Sequence, residues 1–153
     1  MTIEKTIKQV NWPEKSGEHK VVQLDVDGKS FLRFPNIDMI IDALEDPSIP
    51  KSHREFLICG VGHAGILWST LKSLKKEYSM KTGAQGYEIP NNNGKDYKVV
   101  GMGKAKVDVE NKSSSFYGKS LDYEIGIDST HLDKIKELES DWKIKYSGEN
   151  LNE

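Results

Sequence analysis

Cysteine is almost absent from this sequence: Cys59 is the single one. An internal disulfide is therefore excluded, and so are the CxxC and Cys/His spacings of zinc sites. Set inside the apolar run EFLICGV (55–61), Cys59 reads as a small buried hydrophobe rather than a nucleophile. Long hydrophobic runs are missing too. None approaches the roughly 20 residues of a membrane-spanning helix. Residues 1–20 lack the apolar core of a secretory signal. Charge of one sign is also scarce: 22 basic against 24 acidic side chains give a formal net charge of −2. That balance exerts no global pull on nucleic acid or anionic membrane and leaves room only for a local basic patch. The expectation is a cytoplasmic protein with no membrane partner, no nucleic-acid partner, no metal and no cofactor.

What is present fits one domain with one core. The chain has 153 residues, 36% hydrophobic and 30% charged. Residues 1–17 are polar, carry Pro13 and Gly17, and read as a flexible or loosely docked arm; residues 18–147 form the domain and 148–153 a tail. In KVVQLDVDGKSFLRF, Asp27-Gly28 is a hairpin turn signal, because both central residues of a type I′ turn need positive φ. Asn36 can cap a short helix ending at Pro47 and Pro50, over IDMIIDALED. EFLICGV reads as a strand buried on both faces. The helix after it carries Ile66, Leu67, Thr70, Leu71, Leu74 and Tyr78 on one side.

A second hairpin is expected in GYEIPNNNGKDYKVVGMGKAKVDVE, turning at Asn93-Gly94. Tyr97, Val99, Ala105, Val107 and Val109 would share one face at period two. Gly101 and Gly103 interrupt it, which marks a bulge or a close approach. NKSSSFYGKS reads as a polar loop and LDYEIGI as a strand. Thr130 with Asp133 resembles a capping box opening the helix HLDKIKELESDW. KIKY reads as a last short strand. Strands and helices without strict alternation predict an α+β domain with a mixed sheet of about six strands flanked by helices.

Two places could carry chemistry. At Gly62-His63-Ala64-Gly65 a buried strand turns into a helix. The first helical amides have no internal partners and the dipole end is positive, so the turn suits an anion. It is not a P-loop, since the Gly-Lys-Ser/Thr ending is missing. His63 there could act as general base, general acid or phosphoryl acceptor, or could merely fill the turn. GMGKAK adds a second glycine cluster, with Lys104 and Lys106 opposite the apolar side chains. His19, His53 and His131 read as surface residues.

The order from Lys20 to Tyr146 resembles the Janus/Ocnus family, the protein histidine phosphatases. HKVVQLDV is similar to that family's first core strand, which carries a phosphate-binding lysine. REFLICGVGHAGILWSTLKSL is similar to its strand–histidine–helix unit. The family's Tyr-His-Ala-Asp-Ile corresponds to Gly62-His63-Ala64-Gly65-Ile66 here. YKVVGMGKAKV is similar to its glycine strand, Tyr-Gly-Tyr-Ser-Met-Ala-Tyr-Gly, with Gly103 where the family has serine. The resemblance covers about three quarters of the chain, with the 36–46 helix standing as an insertion. It implies a histidine phosphatase-like fold and a metal-independent phosphatase. His63 would be the catalytic histidine. Phosphate would bind at Lys20, Ala64, Gly103, Lys104 and Ala105, with Lys29 an alternative to Lys20. The implied partner is a phosphorylated protein or a small phosphorylated ligand. The alternative is a non-catalytic module on the same fold, binding a phosphorylated or nucleotide ligand or acting as an inhibitor-type protein.

Overall fold

Asp27 and Gly28 take φ of 50° and 80°, and the turn they form joins β1 (Gly17–Val26) to β2 (Lys29–Arg33) in an antiparallel hairpin. The structure is a computed structural model, which describes residues 7–35, 62–86 and 88–148. The expected helix over 36–46, the strand over 55–61, Cys59 and His53 lie outside the described residues. Beyond them run α1 (His63–Ser73), β3 (Met80–Thr82), β4 (Glu88–Pro90), β5 (Tyr97–Asp108), β6 (Ser113–Tyr117), β7 (Lys119–Ser120), β8 (Ile125–Gly126), α2 (Ser129–Leu138) and β9 (Lys143–Gly148). The main sheet has the order β2-β1-β5-β6-β9. It is antiparallel except for the β6–β9 pair. The α+β class with a mixed sheet is therefore observed, with five strands in the main sheet of the described residues.

One bulge organises the molecule. In the β1–β5 register Gln23 faces Gly101 while Leu24 faces Val99, so Val100 has no partner. A one-residue slip sends side chains to the other face. Tyr97 and Val99 therefore join Val22, Leu24, Val26 and Met102 beneath Ala64, Ile66, Leu67 and Leu71 of α1. Ala105 and Val107 join Val21, Phe116 and Ile144 beneath Leu132 and Ile135 of α2. The single face expected for Tyr97 through Val109 is thus two faces, one per helix. Two clusters on opposite sides of the sheet replace the one core.

Gly101 and Gly103 sit where other groups press close. A Cβ on Gly101 would lie 2.2 Å from Gln23 Oε1, and one on Gly103 would lie 2.6 Å from the Tyr117 carbonyl. Gln23 uses that space to clamp Asp128. Its Nε2 donates to Asp128 O at 2.9 Å, and its Oε1 accepts from Asp128 N at 2.8 Å.

Other elements depart from expectation for local reasons. Ser113–Tyr117 is a strand, not a loop; Ser114 and Phe116 point inward and the intervening serines outward, an alternation that small polar residues disguise. Residues 121–124 turn instead of extending. Glu124 has φ of 57°, Leu121 is 63% exposed, and only Ile125–Gly126 pairs. β4 pairs with β3 rather than β5, and Asn93-Gly94 folds back through one bridge between Asn93 and Lys98. α1 ends at Ser73, with Lys75 at φ of 55°, so Tyr78 lies past the helix; its hydroxyl accepts from Trp68 Nε1. KIKY does form the last strand, within β9.

Residues 7–16, expected as part of a flexible arm, are docked along β2. Leu32 N donates to Gln9 O, Phe34 N to Asn11 Oδ1, and Trp12 stacks on Trp142 at 3.8 Å.

The capping residue of α2 is Asp128, whose Oδ1 accepts from His131 N at 2.9 Å; the Thr130–Asp133 box is not formed. Asp128→Ala should therefore cost about 1 kcal/mol in denaturant unfolding, the usual weight of a lost cap. Thr130→Ala should be close to neutral in the same measurement.

Candidate functional site

Gly62 is extended, with φ of −75° and ψ of 176°, and the helix opens directly after it. The first amide bond into the helix runs from Ile66 N to Gly62 O at 3.0 Å. The amides of His63, Ala64 and Gly65 precede it. No group among the described residues accepts from them, and no side chain caps the turn. All three residues are buried. These first amides lie at the positive end of the helix dipole, a place that suits an anion.

His63 is 9% exposed, and its Nε2 lies 2.8 Å from the Gly103 carbonyl. A carbonyl can only accept, so Nε2 carries the proton and Nδ1 keeps its lone pair. Burial pushes the His63 pKa from 6.5 down to about 4. The Gly103 carbonyl and Asp122 oppose the shift, while the positive charges of Lys20 and Lys104 add to it. The ring is therefore neutral near pH 7.

Lys20 and Lys104 stand directly opposite each other on β1 and β5. Like charges facing across an antiparallel pair repel. The cost is reduced on one side only. Glu18 Oε1 lies 3.6 Å from Lys104 Nζ, and Glu18 also accepts a hydrogen bond from the Tyr117 hydroxyl. Lys20 has no ion pair among the described residues. Neighbouring backbone links the pair to His63, because Gly103 precedes Lys104 and pairs with Val21.

Of the residues expected at a phosphate site, Lys20, Ala64, Gly103 and Lys104 gather around His63. Lys29 does not: it pairs with Val26 at the far end of β1, six residues or roughly 20 Å along the strand from Lys20. Ala105 is flanked by His19 on β1 and Phe116 on β6, and its methyl is buried on the α2 face. Its backbone belongs to the sheet ladder, so it offers little to a ligand beside His63. The Gly103 carbonyl and the residues Glu18, Asp122 and Tyr117 were not foreseen. Tyr117 could have been read from the serine alternation that marks β6.

His131 is buried, 3% exposed, and is not a surface residue. Its Nδ1 lies 3.2 Å from Gln23 Nε2, and its Nε2 faces Asp25 Oδ1 at 3.6 Å. It belongs to the clamp that holds α2 to β1, on the opposite side of the sheet from His63. His19 lies in β1 and bonds Lys15 O through Nε2.

No protein-family model matches this chain, and no curated protein matches it. Among the described residues no helix is long and apolar enough to cross a membrane.

Proposed function

We propose that this chain is a histidine phosphatase-like protein that binds and hydrolyses phosphohistidine, or a related phosphorylated ligand, at His63. The carrying observation is the neutral, buried His63, fixed through Nε2–H to the Gly103 carbonyl, beside the first amides of α1, which have no acceptor among the described residues, and the opposed Lys20 and Lys104. The strand carrying Lys20, the histidine-led helix and the glycine strand come in the family's order, with a helix on each face of the sheet, which supports the same fold.

The chemistry follows from those groups. A phosphoryl oxygen accepts from the first amides of α1, and the lysines offset its charge. Nδ1 accepts a proton from water as the water oxygen bonds to phosphorus. The P–N bond breaks, and the proton passes to the departing imidazole nitrogen. Positioning and anion stabilisation supply the rate enhancement. Hydrolysis of a phosphohistidine peptide, or of phosphoramidate, should be lost in His63→Ala. Equal rates in wild type and variant would sink the catalytic role.

A second reading, a non-catalytic binding module, is favoured by one feature. Gly103 leaves no hydroxyl where the family strand has serine, so phosphate is held by backbone and lysine charge alone. Titration with inorganic phosphate, followed at the His63 ring resonances, separates the two: saturable shifts without turnover support the module.

A further inference from the structure

α1 covers only half of its face of the sheet. Its apolar contacts on β1 stop at Val22 and on β5 at Met102. Past them the same face continues as Lys20 and Glu18 on β1, Lys104, Lys106 and Asp108 on β5, the outward serines of β6, and Lys143 and Lys145 on β9. The outer part is an open groove of about 790 Å³, lined among others by Lys106, Ser113, Ser115, Lys143 and Lys145. Among the described residues five lysines face two carboxylates here, on a chain whose formal charge is −2.

Both carboxylates already have partners. Glu18 accepts from Tyr117 and lies beside Lys104; Asp108 accepts from the Asn111 side chain at 2.7 Å. Lys143, Lys145 and Lys20 have no carboxylate partner among the described residues, and Lys106 rests over the Tyr117 ring at 5.8 Å. Gathering cations on adjacent strands is unfavourable without an anion to meet them.

We propose that this groove docks an acidic peptide segment of the protein that carries the phosphoryl group, laid across β5, β6 and β9 with its phosphoryl end at His63. The proposal rests on the phosphate-binding reading of His63. From β1 to β9 are three strand spacings, roughly 15 Å, which four or five extended residues span. Charge complementarity selects an acidic chain, and the outward hydroxyls of Ser113 and Ser115 can donate to its carbonyls. Among the described residues the groove has no exposed aromatic face on which bases could stack: Tyr117 is 2% exposed, and Tyr146 pairs with Phe116 and so lies on the other side of the sheet. That favours peptide over single-stranded nucleic acid.

The test measures fluorescence anisotropy of a labelled glutamate-rich decapeptide with wild type and with the Lys106→Gln/Lys143→Gln/Lys145→Gln variant. All three side chains are exposed, so the variant should fold. Its affinity should fall about tenfold at low salt, and the wild-type affinity should fall as salt rises. Phosphate-induced shifts of His63 should be unchanged in the variant, and the decapeptide should still bind His63→Ala. If phosphate fails to shift His63 yet the decapeptide binding depends on the three lysines, the site reading fails and the groove stands. Equal decapeptide binding by wild type and variant overturns the groove, as does tighter wild-type binding of a single-stranded oligonucleotide of equal charge.

Discussion

Gly103→Val is expected to lower stability by about 3 kcal/mol or more and, on the proposed reading of the site, to remove phosphate binding at His63. A single Cβ at this position would stand 2.6 Å from the Tyr117 carbonyl and 2.7 Å from Ile127 Cγ1. The first neighbour is backbone of the adjacent strand, which cannot rotate away. Overpacking of an ordinary core position costs about 1–3 kcal/mol, and a fixed obstacle puts this case at or above the upper end. Relief requires β5 to move away from β6, and the Gly103 carbonyl moves with it. That carbonyl is the acceptor that fixes the His63 ring. The functional loss should therefore exceed what stability alone explains.

Gly101→Ala supplies the comparison. Its Cβ would meet Gln23 Oε1 at 2.2 Å and Asp128 N at 2.9 Å, so it attacks the clamp on α2 instead. It should destabilise the fold while leaving the His63 ring held in molecules that remain folded. Chemical denaturation combined with phosphate titration of the His63 resonances checks both. Gly103→Val with wild-type stability would show that β6 yields easily, and the steric argument would be wrong.

Much of this fold could be read from local chemistry, and the failures have local causes. Asp27-Gly28 demanded positive φ, and the structure has it. The run from Ile66 to Leu71 carried the helical period and is helical. Tyr97 to Val107 read as one face because alternation was followed through Val100, and no side chain announces an unpaired backbone residue. β6 was hidden because serine fits a strand edge as readily as a loop. Asp128 was passed over as a cap because Thr130 and Asp133 offered a plausible box two residues later.

Parts of the candidate site were legible for the same reason. His63 stood out among glycines at a strand-to-helix turn, and Lys20 and Lys104 were named from short motifs. Their direct opposition was invisible, because it depends on the β1–β5 register. The lysines of β9 were further from view still: Lys143 and Lys145 reach the same face as Lys106 only through the parallel β6–β9 pair, a contact between segments separated by a helix.

Acid should weaken this protein earlier than its carboxylates alone would dictate, with His63 the main cause. In the folded chain His63 titrates near 4, against 6.5 for an ordinary histidine. Above pH 6.5 the ring is neutral in both states and contributes no pH dependence. Between 6.5 and about 4 the unfolded chain binds a proton that the native chain refuses, so stability falls as pH falls. Below about 4 both states are protonated and the loss levels off. A gap of this size corresponds to about 3 kcal/mol. His131 is depressed by burial too, with Asp25 opposing, and adds in the same direction.

His63→Asn keeps a side-chain donor for the Gly103 carbonyl but does not titrate. It should flatten the dependence between pH 6.5 and 4, whereas His131→Asn should leave most of it. Phosphate should act like a partial rescue. An anion at the start of α1 counters the field of Lys20 and Lys104 and raises the His63 pKa. The native state then accepts its proton at higher pH, and the stability curve becomes shallower. Unfolding free energies across this range, with and without phosphate, measure the effect directly. A His63 resonance titrating at 6.5 in the free protein would remove the basis of the whole argument.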